Sequence, residues 1–227
     1  MDEEDLDKIN FKTRSSSYRR LTFDIETAPD FERVELLMKP FNPDSVKIGN
    51  IKDEFLKKEK INAARKAHSD KAFDTAALHP ETARVCAIGY HDSSMILGEG
   101  IFVINADKDG EAEALKRFWG YVGDILNSQN DLVGFNIKNF DLPFLIRRSY
   151  HLGVEPSPFL LNPRNRRWHS GVVDLMEFYG SGEWGYRISL DKVCKSLDIG
   201  GKADQKGDIS GKEFWRWWRG MAPSKKL

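Results

Sequence analysis

Cysteine is scarce in this sequence, since Cys86 and Cys194 are the only two among 227 residues. Two widely spaced cysteines form neither a disulfide scaffold nor a local zinc knuckle. Both stand in apolar surroundings, which predicts free thiols in the protein interior. We therefore expect no functional role for cysteine.

Long apolar runs and an excess of one charge are also missing. No stretch reaches the roughly 20 apolar residues that cross a bilayer, and the acidic N-terminus lacks the pattern of a signal peptide. We therefore expect a cytoplasmic protein without a membrane partner. The 35 basic residues balance the 35 acidic ones, which excludes a uniformly basic coat but leaves room for a local nucleic-acid-binding face.

The patterns that are present predict one α/β domain over residues 20–227, after a mobile leader over 1–19. Three early strands at 21–27, 85–90 and 101–104 suit an antiparallel meander. Helices are predicted at 110–126, 141–150, 189–197 and 211–218, and further strands at 131–136 and 171–175. This order predicts a mixed five-stranded sheet flanked by helices.

A charged stretch over about 31–78 interrupts this pattern between the first two strands. Its centre is rich in Lys, Glu and Ala, which indicates an exposed helix. We interpret it as an insertion that lies outside the catalytic sheet. Its basic residues are expected to contact phosphate or a protein partner.

Asp24 and Glu26 lie on one face of the first strand, because successive side chains of a strand alternate between its faces. Carboxylates roughly 7 Å apart on one strand repel each other unless a cation lies between them. A solvated polar edge is the alternative interpretation. The apolar residues between the two acids favour a central strand and hence a hard divalent cation, Mg²⁺ or Mn²⁺.

Asn136 and Asp141 form a second group, at the end of a buried strand and at the start of the next helix. Ligands of open α/β sheets gather at such strand ends. Alone, Asp141 would be interpreted as a helix cap. Together with the Asp24–Glu26 strand it predicts a shared site.

These residues carry a resemblance to a known family. The sequence resembles the DEDD (DnaQ-like) 3′–5′ exonucleases, and most closely the proofreading domain of family B DNA polymerases, in Phe23-Asp24-Ile25-Glu26-Thr27 and Asn136-x-x-x-Phe140-Asp141. The resemblance implies a ribonuclease H-like fold and two-metal hydrolysis of phosphodiesters from a 3′ end.

The same resemblance implies roles for six residues. Asp24 would bridge both metal ions, Glu26 would bind the ion that activates water, and Asp141 would hold the other ion. Asn136 and Phe140 would position the terminal nucleotides. Thr27 would lie beside the terminal sugar.

The third motif of the family, Tyr-x-x-x-Asp, is not visible, since no Asp follows Asp208. Asp174 and Asp191 follow a His and a Tyr at similar spacing. We interpret the first as a strand-end residue and the second as a helix N-terminal charge. The sequence therefore predicts a chain that ends before the motif and shows three of the four metal-binding acids.

The resulting expectation is a stand-alone, metal-dependent 3′–5′ exonuclease that acts on single-stranded DNA ends. An exoribonuclease of the same fold is one alternative, because contacts to the 2′-hydroxyl are not visible in these motifs. A second alternative is a weakly active or inactive module that binds nucleic acid or a partner, because the fourth metal ligand is missing.

Overall fold

The computed structural model describes residues 18–94, 99–103, 108–161 and 171–200. Most of the expected leader and the predicted helix over 211–218 lie outside these ranges. None of the helices within them is long and apolar enough to cross a membrane.

A mixed five-stranded sheet forms the centre of the fold. Its strands are β1 (Arg20–Pro29), β2 (Ala83–Asp92), β3 (Glu99–Val103), β4 (Asp131–Gly134) and β5 (Val172–Asp174). They lie in the order β3-β2-β1-β4-β5. The first three strands are antiparallel, whereas β4 and β5 run parallel to β1. This arrangement confirms the predicted mixed sheet and places β1 at its centre.

Six helices accompany the strands within the described part of the chain. They are α1 (Phe31–Leu37), α2 (Glu54–Ala76), α3 (Lys108–Asn127), α4 (Asp141–Leu152), α5 (Leu175–Tyr179) and α6 (Leu190–Ser196). Residues 31–78, all of which the structure describes, form α1, α2 and a short 3₁₀ turn, and they add no strand to the sheet. The five-residue helix α5 was not predicted.

The core lies on one face of the sheet, where the alternation of β1 meets the apolar stripe of α3. Leu21, Phe23 and Ile25 of β1 are buried. The ring of Phe23 packs 5.2 Å, centroid to centroid, from the ring of Phe118 on α3. On the other face Thr22 and Asp24 are exposed. The central strand thus buries its apolar side chains and presents Asp24 to solvent.

A buried ion pair fixes the direction of α4. Arg148 donates from Nε to Glu111 Oε1 at 2.7 Å and from a terminal nitrogen to Oε2 at 2.8 Å. The amide of Val85 on β2 also donates to Glu111 Oε1, at 2.9 Å. Since both side chains are almost fully buried, their geometry ties α4 to α3 and β2.

Both cysteines are free thiols, as expected. Cys86 is buried, whereas Cys194 is only half-buried. Burial raises the pKa of the Cys86 thiol to about 12, so the thiol stays protonated at neutral pH.

Candidate active site

The carboxyl groups of Asp24 on β1 and Asp141 on α4 lie close together, near enough for the charge of Asp24 to act on Asp141. The topology explains this contact. β1 pairs with β4 only over Arg20–Thr22. The amide of Ile25 lies beyond this paired stretch, on the side of β1 that faces Asp141. The carboxyl group of Asp141 lies beside this amide.

Asp141 is held in an unusual electrostatic environment. Its side chain is 2% exposed, and its Oδ1 has no hydrogen-bond partner among the described residues. Burial, followed by the negative charge of Asp24, raises the pKa of Asp141 to about 7. Two neighbouring acids supply hard oxygen ligands, and a divalent cation that replaces the proton of Asp141 would relieve their repulsion.

Helix capping does not explain Asp141. The helix cap is Phe140, and no side chain caps α4. Asp141 occupies the first helical position, from which its carboxyl group faces β1.

Glu26 is half-buried on the same strand. The register of β1 and β2 shifts between Glu26 and Thr27, so that Cys86 is an extra residue on β2. Bulges of this kind commonly lie next to active sites, where they redirect side chains. Glu26 contributes to the raised pKa of the nearby Cys86 thiol.

A complete metal centre is not formed within the described ranges. No group of three or more His, Cys, Asp and Glu residues there is close enough to hold a metal ion. The structure joins Asp24 and Asp141 as a pair, and the place of Glu26 in the ligand set stays a prediction.

The turn between β4 and α4 carries Asn136 in the left-handed conformation, with φ of 62°. This conformation is strained for most L-residues and less so for Asn. Asp174 holds the turn in place. Its Oδ1 accepts from the amide of Asn136 at 2.8 Å, and its Oδ2 accepts from the amide of Lys138 at 3.0 Å.

Gly134 allows this turn to fold back on the sheet. A Cβ atom at this position would lie 2.2 Å from Ile137 Cγ2 and 3.0 Å from the carbonyl oxygen of Phe23. The first approach is closer than a Cβ atom tolerates unless Ile137 shifts, and the second is tighter than most Cβ contacts. Glycine therefore fits best where β4 passes β1 and turns toward Asp141.

Thr27 follows Asp24 on β1 and Phe140 directly precedes Asp141, and both are half-buried. The Thr27 hydroxyl donates to the carbonyl of Ala77 at 2.7 Å, which leaves its oxygen able to accept a hydrogen bond. The ring of Phe140 packs 5.7 Å from the ring of Phe144. Their contacts with substrate stay predictions.

Sequence reasoning missed the positioning role of Asp174. This residue is 2% exposed and also caps α5, because its Oδ1 accepts from the amide of Met176 at 3.0 Å. The spacing of Asp174 and Glu177 fits a capping box. This pattern could have indicated the capping role of Asp174 from the sequence. Asp191, in the first turn of α6, pairs with Lys195 at 2.8 Å.

Comparison with known proteins agrees with this architecture. Residues 75–222 match a family described as predicted 3′–5′ exonucleases related to the exonuclease domain of PolB. The chain belongs to this family. The matched range of the exonuclease family includes Asn136 and Asp141, whereas Asp24 and Glu26 precede it.

A solved structure shows the same fold. The family B DNA polymerase from the hyperthermophilic archaeon Pyrobaculum calidifontis is similar to this exonuclease-family chain with a TM-score of 0.50 and 18% identity. The alignment covers 89% of this chain and 21% of the polymerase chain. At this identity the likeness shows the ribonuclease H-like fold alone. A search among curated proteins gave no match.

Proposed function

We propose that the protein hydrolyses phosphodiester bonds at the 3′ ends of single-stranded DNA with two Mg²⁺ or Mn²⁺ ions. Asp24, Glu26 and Asp141 would hold these ions. The observation that supports the proposal most strongly is the contact between Asp24 and Asp141. Placing the negative charge of Asp24 beside the buried carboxylate of Asp141 costs free energy without a cation. A bound divalent cation would make the same arrangement favourable.

The protein's own groups have distinct parts in this proposal. A bound divalent ion of this kind lowers the pKa of an attacking water and offsets charge on the phosphate. Asp141 must lose its proton to become a ligand, and this proton leaves to solvent, because both Asp24 and Asp141 must be ionised to bind the ion. The hydrogen bonds from the amides of Asn136 and Lys138 to Asp174 keep the turn before Asp141 in place. Little reorganisation of this turn would therefore accompany metal binding.

Substrate contacts are proposed for Asn136, Phe140 and Thr27. The Thr27 oxygen would accept a hydrogen bond from the hydroxyl of the terminal sugar. The half-buried ring of Phe140 offers a surface on which a base can stack. Asn136 would bind the next nucleotide through its amide group.

The test is cleavage of a 5′-labelled single-stranded DNA in the presence of Mg²⁺ or Mn²⁺. We expect a ladder of products shortened from the 3′ end. Asp141→Asn and Asp24→Asn should each lower the rate by more than the roughly 10- to 100-fold loss that follows an outer-shell change. Asp124→Asn is the matched control, because Asp124 is exposed at the end of α3.

Other outcomes would contradict specific parts of the proposal. Faster cleavage of a matched RNA strand would make the protein an exoribonuclease. Binding of the strand without hydrolysis, unchanged by Asp141→Asn, would indicate a binding module. Hydrolysis that persists in both site variants would show that the acid pair is not the metal site.

A further inference from the structure

An open groove of about 360 Å³ lies between α1, α2 and the turn that precedes β2. It is built largely by residues 31–78, outside the sheet that carries the acid pair. Its floor is apolar and includes Val34 and Ala72. Four basic or imidazole side chains also line it, namely Lys39, His68, Lys71 and His79.

The charge of this groove has one sign. No acidic side chain lines it, although acidic residues are frequent elsewhere on α1 and α2. Within the part of the chain that the structure describes, neither Lys39 nor Lys71 forms an ion pair. Both ammonium groups are therefore available to an anion.

The remaining polar groups of the groove are already in use. The Thr75 hydroxyl donates to the carbonyl of Lys71 at 3.0 Å, and the Thr82 hydroxyl donates to the carbonyl of Ala76 at 3.0 Å. Donors for a ligand must then come from the lysines and histidines. An apolar floor beneath such donors complements a molecule that combines a phosphate with a flat ring.

The groove is joined to the strand that carries Asp24. Ala76 lines it, and the next residue, Ala77, accepts the hydrogen bond of Thr27 on β1. Thr82, at the other side, accepts at its carbonyl from the amide of Asp30 at 2.9 Å, just beyond β1. The groove therefore adjoins the C-terminal end of β1, the strand that carries Asp24.

We propose that this groove binds a nucleotide through Lys39 and Lys71. This proposal rests on the proposed function in one respect. The bound nucleotide is either part of the DNA strand at the acid pair or a mononucleotide released when that strand is hydrolysed. A strand nucleotide and a free mononucleotide share the same recognition chemistry. The experiment separates these two sources.

The test measures binding by the full chain without divalent ions, so that no hydrolysis occurs. The probes are inorganic phosphate, thymidine monophosphate, and a short and a long oligothymidylate. Lys71→Glu and Lys39→Glu reverse charge in the groove. Lys192→Glu is the control, because Lys192 is exposed on α6, outside residues 31–78, and does not line the groove.

We expect Lys71→Glu and Lys39→Glu to weaken binding at least about tenfold, and Lys192→Glu to change it far less. Weaker binding of phosphate and thymidine monophosphate identifies a free nucleotide as the ligand. Weaker binding of the long oligonucleotide alone identifies a nucleotide of the strand. Equal binding by all three variants, each shown to be folded by circular dichroism, would overturn the proposal.

The groove and the proposed function fail in different ways. Asp141→Asn should abolish metal-dependent hydrolysis while the Lys71-dependent binding persists. Lys71-dependent binding without hydrolysis by the unaltered chain would contradict only the proposed function. Normal hydrolysis with binding insensitive to Lys71→Glu and Lys39→Glu would contradict only the groove.

Discussion

The carboxylate of Asp174 accepts a hydrogen bond from the backbone amide of Asn136 at 2.8 Å. This bond links the end of β5 to the turn after β4. The same carboxylate receives the amides of Lys138 and Met176. One buried acid therefore holds three backbone donors on two segments. Asn136 keeps its left-handed conformation within this clamp.

Replacing Asp174 by Asn should loosen the turn that leads to Asp141. The amide offers one acceptor oxygen instead of two, and its NH₂ group would face a backbone donor. We expect the free energy of unfolding to fall by about 1–3 kcal/mol and the rate of the proposed exonuclease reaction to fall by about 10- to 100-fold. Chemical denaturation and the cleavage assay measure the two effects.

Glu177→Gln is the control for this prediction. It breaks only the Lys138–Glu177 ion pair, in which the glutamate side chain is 51% exposed. We expect a stability loss below about 1 kcal/mol. Equal effects of the two variants would show that the clamp has no positioning role.

The alternation of residues 21–27 predicted the strand, its buried face and the shared face of Asp24 and Glu26, because a period of two follows directly from strand geometry. The apolar spacing of α3 predicted that helix equally well. The start of α4 at Asp141 was also predictable from sequence. Local patterns of this kind require no knowledge of tertiary contacts.

The contact between Asp24 and Asp141 depends on tertiary structure instead. It requires β4 to pair with β1 over only three residues and then to turn away at Gly134. Asp174 is a similar case, because its partners lie 36 and 38 residues earlier in the chain. The groove between α1 and α2 was not predictable either, since the fold of residues 31–78 determines which basic side chains converge.

Gly134→Ala should destabilise the domain, because the added Cβ would overlap Ile137 Cγ2 and crowd the carbonyl of Phe23. We expect a loss of about 1–3 kcal/mol in the free energy of unfolding. Gly120→Ala on α3 is the matched control, since a Cβ there meets nothing within 4 Å. That change should stabilise the helix by up to about 1 kcal/mol. A neutral Gly134→Ala would contradict the close approach of β4 to β1.

Arg148→Met should destabilise the fold by about 3–5 kcal/mol, because it leaves Glu111 buried without its partner. Glu111→Gln in the same chain should recover much of this loss, since a neutral amide can still accept from Val85. A double-mutant cycle, followed by urea denaturation, measures the coupling. Additive losses would show that the pair contributes little to holding α4.

The raised pKa of Asp141 predicts how stability depends on pH in the absence of divalent ions. The folded protein keeps this proton up to pH of about 7, whereas the unfolded chain releases it near pH 4. The folded state thus binds more protons between these values, and stability must fall as pH rises from about 4 to about 7. Asp141→Asn should flatten this interval. Mg²⁺ or Mn²⁺ should restore stability above pH 7, because only the deprotonated pair binds the ion.

Denaturation curves at several pH values, with and without the ion, measure both effects. A stability profile that rises through this interval and is unchanged by Asp141→Asn would contradict the raised pKa of Asp141.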